Sequence, residues 1–180
     1  MPSLQLVLAP DPIFKKKSEP VDEVTDEIRT LMDDMTDTLK AENGVGIAAP
    51  MVDVLKRVIV INLSQNDTDI KLFMANPEII EKSDETQVFE EASLCFPGIS
   101  ADITRPKRIK VKYLDYDGKP QVIEAEGFLA TCIQHEADYL DGVVYLDYLS
   151  KLKRDTLMRK MNKFIKKYGH GHACSTGCEH

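Results

Sequence analysis

The sequence predicts a single α+β domain, and three observations predict it. Between about residues 44 and 126 the pattern is one of strands and turns. Helical periodicity is confined to the stretches before and after that region, and strands followed by segregated helices pack as α+β. No internal repeat or linker divides the 180 residues, a length that suits one core.

The opening carries Pro2, Pro10, Pro12 and Pro20 and is expected to run extended until a helix begins near Val21. Val24, Ile28, Leu31, Met32, Met35 and Leu39 then recur at steps of three and four, a core-facing stripe. Asp22, Glu23, Asp26 and Glu27 crowd the end where the helix dipole favours negative charge. The helix should stop near Asn43-Gly44. Residues 57–62 are a short β-branched run, and 71–75 and 109–114 alternate or nearly so. Asp115-Tyr-Asp-Gly118 reads as a hairpin turn that returns through 122–126. A second helix is expected over 127–140, with Leu129, Cys132, Ile133, Glu136 and Leu140 toward one side and Asp141-Gly142 as its stop. A third spans 151–168, with Leu152, Leu157, Met158, Met161, Phe164 and Ile165 inward. Residues 1–168 are thus expected to form the domain. The Gly-, His- and Cys-rich tail 169–180 is expected to stay outside the core and disordered.

A chain with 29% charged and 43% hydrophobic residues has an ordinary globular composition. Its net charge of -7 makes it a poor general binder of nucleic acid, where phosphate contacts rely on Lys and Arg. No stretch approaches the roughly 20 apolar residues of a membrane span. The apolar run Leu4 to Ala9 is too short for a signal peptide and follows no basic segment. Cys95, Cys132, Cys174 and Cys178 form no disulfide framework, so a reducing cytoplasm is the simplest compartment. The tail places His170, His172, Cys174, Cys178 and His180 close enough to enclose Zn²⁺, although such a tail also binds adventitious metal or none.

The informative segment is Gln134-His-Glu-Ala-Asp-Tyr139. Two His four apart on a helix can reach one divalent ion, and a Glu beside the first can take a proton from metal-bound water. Here His135 and Glu136 are present and the fifth position is Tyr139. Alone, that spacing is weak.

Three ordered segments strengthen it. Residues 134–139 resemble the Gln-His-Glu-x-Asp-His signature of peptide deformylases. Gly44-Val-Gly-Ile-Ala-Ala-Pro-Met51 resembles the Gly-x-Gly-x-Ala-Ala-x-Gln motif, and Glu91-Ala-Ser-Leu-Cys-Phe-Pro-Gly98 resembles the Glu-Gly-Cys-Leu-Ser segment. Arg105-Pro106, the Asp115–Gly118 hairpin and residues 144–150 also read like the family, so the resemblance covers about 2–168. It implies antiparallel strands packed around a central site helix, with helices at both ends. It further implies removal of the formyl group from N-formylmethionine of nascent peptides, in the cytoplasm and at the ribosome. The family's Fe²⁺, Zn²⁺ or Ni²⁺ is held by one Cys and two His. The Glu moves protons, and the Gln side chain and a backbone N–H stabilise the oxyanion.

Transferred by position, His135 is a metal ligand, Glu136 the proton shuttle and Leu94 the backbone donor. Gly44, Gly46, Ile47 and Glu91 are supporting or peptide-binding groups. The remaining positions differ: Ser93 stands for the thiolate, Tyr139 for the second imidazole, Met51 for the oxyanion Gln, and Ala92 for a Gly. A neutral hydroxyl is a poor ligand beside a thiolate, and a phenol with a pKa near 10 binds well only after losing its proton. Met51 offers no donor, and losing one oxyanion donor typically costs about 10² to 10³ in rate. The expectation is therefore a family member with lost or much reduced activity and with metal occupancy that could fall to none, Tyr139 filling the vacated metal space. A metallohydrolase with altered coordination or a different acyl substrate is one alternative, and a non-enzymatic peptide or nascent-chain binding module is another. Cys95 and Cys132 read as packing, and Asp138 as a group that orients a loop or backbone.

Overall fold

The computed structural model describes residues 3–169. The tail's Cys and His residues, and with them the expectation of disorder or a zinc site, lie outside that range. In chain order the elements are a 3₁₀ turn Pro12–Lys15, helix α1 Asp26–Ala41, strand β1 Gly46–Ala48 and a 3₁₀ turn Ala49–Val52. Strands β2 Val58–Gln65, β3 Thr68–Lys82, β4 Thr86–Ser93, β5 Phe96–Pro106, β6 Arg108–Leu114 and β7 Pro120–Glu126 follow. Helix α2 Gly127–Leu140, a 3₁₀ turn Tyr145–Tyr148 and helix α3 Lys151–Tyr168 complete the chain.

Five strands form one antiparallel sheet in the order β1-β2-β3-β6-β7, and β4-β5 form a separate antiparallel hairpin. This is the α+β architecture that the sequence predicts. Val58, Ile59, Val60 and Ile61 of β2 are all fully buried. Both α1 and α2 contact that strand, and burial from both sides explains an unbroken apolar run in place of alternation.

Helix α1 begins at Asp26, five residues later than expected. The Thr25 hydroxyl accepts the Ile28 N–H at 3.4 Å and caps the helix, so Asp22 and Glu23 precede it instead of lining its first turn. Its end lies where Asn43-Gly44 predicts. Asn43 takes φ 54°, and the N–H groups of Asn43 and Gly44 return to the carbonyls of Lys40 and Leu39. Strand β3 runs far beyond the expected 71–75, because register shifts between Ala75 and Glu78 and between Ile79 and Glu81 break its alternation.

Helix α2 has the expected limits but is buried on more than one side. Ala130 to Glu136, Tyr139 and Leu140 are all buried. It contacts β1, β2, β4, β5, β6 and β7, which makes it the central helix. It ends at Leu140 with Asp141 as its cap, and Gly142 just beyond adopts φ 72°. A Cβ there would sit 2.7 Å from the Lys15 carbonyl oxygen. In α3, Met161 is buried and Phe164 lies against Gly98, but Leu152 is 74% exposed instead of inward. Nine residues at 100° per residue place Leu152 on the helix side opposite Met161. No helix among the described residues is long and apolar enough to cross a membrane.

Gly142→Ala forces a side chain into left-handed backbone, at roughly 1–2 kcal/mol, and into the Lys15 carbonyl. We expect a destabilisation at or above that range in chemical denaturation, whereas Gly169→Ala, with open space around it, should cost less.

Candidate active site

The site lies where α2 faces the β4–β5 hairpin. Helical spacing aligns Thr131, His135 and Tyr139 on one side of α2, one turn apart. His135 is buried, and its Nδ1 lies 2.7 Å from Glu91 Oε1. Arg105 donates to both oxygens of Glu91, from Nε to Oε2 at 2.7 Å and from Nη2 to Oε1 at 2.8 Å. Its Nη1 donates to Asp138 Oδ2 at 2.9 Å. Tyr148 donates its hydroxyl to the same Asp138 oxygen at 2.8 Å, and its ring lies 5.0 Å from the Arg105 guanidinium carbon. Asp138 thus orients an arginine and a tyrosine, where a loop or backbone group was expected.

These contacts set the electrostatics. Burial pushes Glu91 upward, but the Arg105 fork and His135 outweigh it and hold the carboxyl below its ordinary value. Burial disfavours the His135 cation, yet the Glu91 hydrogen bond and the nearby carboxylates raise its pKa. Glu136 is also buried, and among the described residues its Oε2 meets no hydrogen-bond partner. Burial pushes its carboxyl up to about 7. Glu136 lies against β1, where a Cβ on Gly46 would come within 2.8 Å of Glu136 Oε1. Glycine at 46 therefore permits this approach.

Ser93 ends β4, and its Oγ lies 2.5 Å from the Tyr139 hydroxyl. Tyr139 is fully buried, which raises its phenol far above the ordinary value. Its ring packs edge-on against Phe14 and His135, each at 5.6 Å between centroids. Tyr145 lies 5.4 Å from His135 and 5.5 Å from Phe96, and Phe96 lies 6.1 Å from Phe14. Five rings therefore form a closed circuit. Met51 is buried, and its sulfur accepts the Ala48 N–H at 3.3 Å. It folds back on its own turn.

Leu94 and Cys95 form the two-residue turn between β4 and β5. Cys95 is therefore not two extended residues beyond Ser93. Its N–H bends back to Ser93 Oγ at 3.3 Å, and burial raises its thiol well above the ordinary value. Cys132 is buried, in keeping with packing. Leu94 packs toward Gly44. Leu94 also lines a groove of about 800 Å³, together with Leu4, Leu6, Asp11, Val52 and Pro97. Ile47 is fully buried in the core and pairs with Val60 of β2, so its side chain packs instead of lining an open surface. Sequence reasoning singled out neither Arg105 nor Tyr148 for the site, although Arg105-Pro106 was a visible signal. Among the described residues, no three His, Cys, Asp or Glu side chains group as a metal site would need.

A buried helix carrying adjacent His and Glu, with the imidazole braced by a carboxylate, is the framework of a small α+β hydrolase. The polypeptide deformylase family model matches residues 3–155, and the chain belongs to the peptide deformylase family. A peptide deformylase-like protein of Rickettsia conorii is 52% identical over 99% of this chain and 97% of its own length. The peptide deformylase of Maricaulis maris is 46% identical over 90% of this chain and 94% of its own. A crystal structure of peptide deformylase from Ehrlichia chaffeensis superposes with a TM-score of 0.87 at 40% identity, covering 92% of this chain and 98% of that one.

Arg105→Met would leave Glu91 buried without its main cation. It should destabilise the protein by about 3–5 kcal/mol, whereas Tyr148→Phe, half-exposed, should cost within about 1 kcal/mol. The Glu91 pKa lies below its ordinary 4.5. Its contribution is therefore present above that pH and is lost as pH falls through the folded value. Unfolding midpoints measured across acid pH should fall for the unmodified chain, and this component should vanish in Arg105→Met.

Proposed function

We propose that this deformylase-family protein keeps a site for the N terminus of a formyl-methionyl peptide or nascent chain but has lost, or retains very little of, the metal-dependent hydrolysis. Deformylases act on nascent peptides that begin with formylmethionine, and the family is metal-dependent. The observation that carries the reading is the 2.5 Å contact between Ser93 Oγ and the Tyr139 hydroxyl. The two positions that would supply a thiolate and an imidazole instead hold hydroxyls committed to each other. Burial keeps the Tyr139 phenol protonated, so it offers a divalent ion no anionic oxygen. His135 alone is a good donor, and this set does not fit Fe²⁺, Zn²⁺ or Ni²⁺. Met51 also removes the side-chain donor for an oxyanion.

The surviving groups support peptide binding. Leu94 lines a groove that can take a chain end, Gly44 lies beside Leu94, and Glu91 orients His135. A second reading, hydrolysis with altered coordination, is favoured by one feature. The buried Glu136 Oε2 has no partner, and its carboxyl sits at about 7, values that suit a general base. Metal content after supplementation with each ion decides between the two, since that reading needs a stoichiometric ion.

Incubated with a formyl-Met peptide and Fe²⁺, Ni²⁺ or Zn²⁺, the protein should release formate at no more than about 10⁻² of a working deformylase's rate, the least that one lost oxyanion donor costs. Release at the working rate overturns the proposal. The combination Ser93→Cys, Tyr139→His and Met51→Gln should restore metal-dependent release, because Glu91 and Arg105 already hold His135.

A further inference from the structure

Helix α2 and strand β4 are joined by three polar contacts at consecutive helical turns. Gln87 Nε2 donates to Thr131 Oγ1 at 3.0 Å, Glu91 meets His135 at 2.7 Å, and Ser93 meets Tyr139 at 2.5 Å. The helix positions 131, 135 and 139 are each four apart, so they stack along one face. The strand positions 87, 91 and 93 follow the same order and share one face by strand alternation, and the pairing with β5 shifts register between Glu91 and Ser93. The last contact lies next to the Leu94–Cys95 turn. Ser93 Oγ also accepts the Cys95 N–H at 3.3 Å, and Ser93 pairs with Phe96 across the turn. One hydroxyl therefore ties the helix end to the hairpin tip. The tip in turn carries Leu94, which packs toward Gly44 and lines the groove.

We propose that the Ser93–Tyr139 hydroxyl pair is a metal-independent clasp, which fixes the Leu94–Cys95 turn against α2 and so positions the Leu94 edge of the peptide-facing site. This rests on the reading that no ion is held between these residues. An ion bound by groups at 93, 135 and 139 would bridge the same strand and helix. Here a buried hydrogen bond and the ring circuit around Tyr139 make that bridge without one. Ser93 and Tyr139 are positioning residues in this account, because they act through Leu94.

Hydrogen–deuterium exchange on the full-length protein, followed in the segment 93–97 with β2 and β3 as internal control, tests the clasp. In the unmodified chain, protection at 93–97 should be equal in EDTA and in excess Zn²⁺. Tyr139→Phe keeps the ring and removes the hydroxyl. It should speed exchange at 93–97 by about tenfold or more, the loss of one buried hydrogen bond, and leave β2 and β3 unchanged. The double variant Ser93→Cys, Tyr139→His should exchange fast in EDTA and regain protection in Zn²⁺. Unchanged exchange at 93–97 in Tyr139→Phe overturns the clasp. Should that variant fail to fold, a double variant indifferent to Zn²⁺ overturns it instead. A different outcome, EDTA-sensitive protection in the unmodified chain together with stoichiometric metal, defeats the reading on which the clasp rests.

Discussion

The buried Arg105 guanidinium is the interaction on which the rest of the site depends. Glu91 and Arg105 are buried together, and the partly exposed Asp138 meets the same guanidinium. The Glu91 carboxylate would be costly there alone, and the planar fork of one arginine serves both acids. That arrangement leaves Glu91 anionic and close enough to fix His135 through Nδ1. It also locks α2 to β5, since Glu91 and Arg105 belong to the hairpin and Asp138 and His135 to the helix. An imidazole whose Nδ1 is held by a carboxylate has its other nitrogen directed away from that partner, the preparation seen at metal-binding histidines generally.

Around this frame the interior has a different character. The side chains at 51, 93 and 139 share this interior. The Tyr139 ring fills space beside His135 and joins Phe14, Phe96 and Tyr145, while its hydroxyl finds Ser93. The Met51 sulfur turns to a backbone N–H of its own turn. Each of these three side chains thus finds its partner locally, within a packed interior. Glu136 is the exception. Its Oε1 lies beside Gly46, while its buried Oε2 meets no hydrogen-bond partner among the described residues.

Helices α2 and α3 were legible in the sequence to their ends, because apolar periodicity, Gly142 and Gly169 mark them. The start of α1 was not. Asp22 and Glu23 carry the charge of a first turn, but the cap is Thr25, and an acidic run alone does not distinguish the two. Leu152 was misread because five residues separate it from Leu157, off the helical step. The β4–β5 hairpin was hidden for a related reason: its turn, Leu94-Cys95, contains no Gly, Asn or Asp, so no local turn chemistry announces it. The site motifs were visible as types, and His135, Glu91, Ser93 and Tyr139 converge as their order implies. Partners that lie far apart in sequence were not visible. Nothing local ties Arg105 to Glu91, Tyr148 to Asp138 or Phe14 to Tyr139.

The central claim is that a serine hydroxyl and a protonated phenol occupy each other instead of an ion. A crystal structure of the protein grown with excess Zn²⁺, with diffraction data collected on both sides of the zinc absorption edge, tests it most directly. The account predicts the Tyr139 and Ser93 oxygens within hydrogen-bonding distance and no anomalous peak beside His135. A fully occupied anomalous peak bonded to His135, with Tyr139 displaced or coordinating, would contradict it.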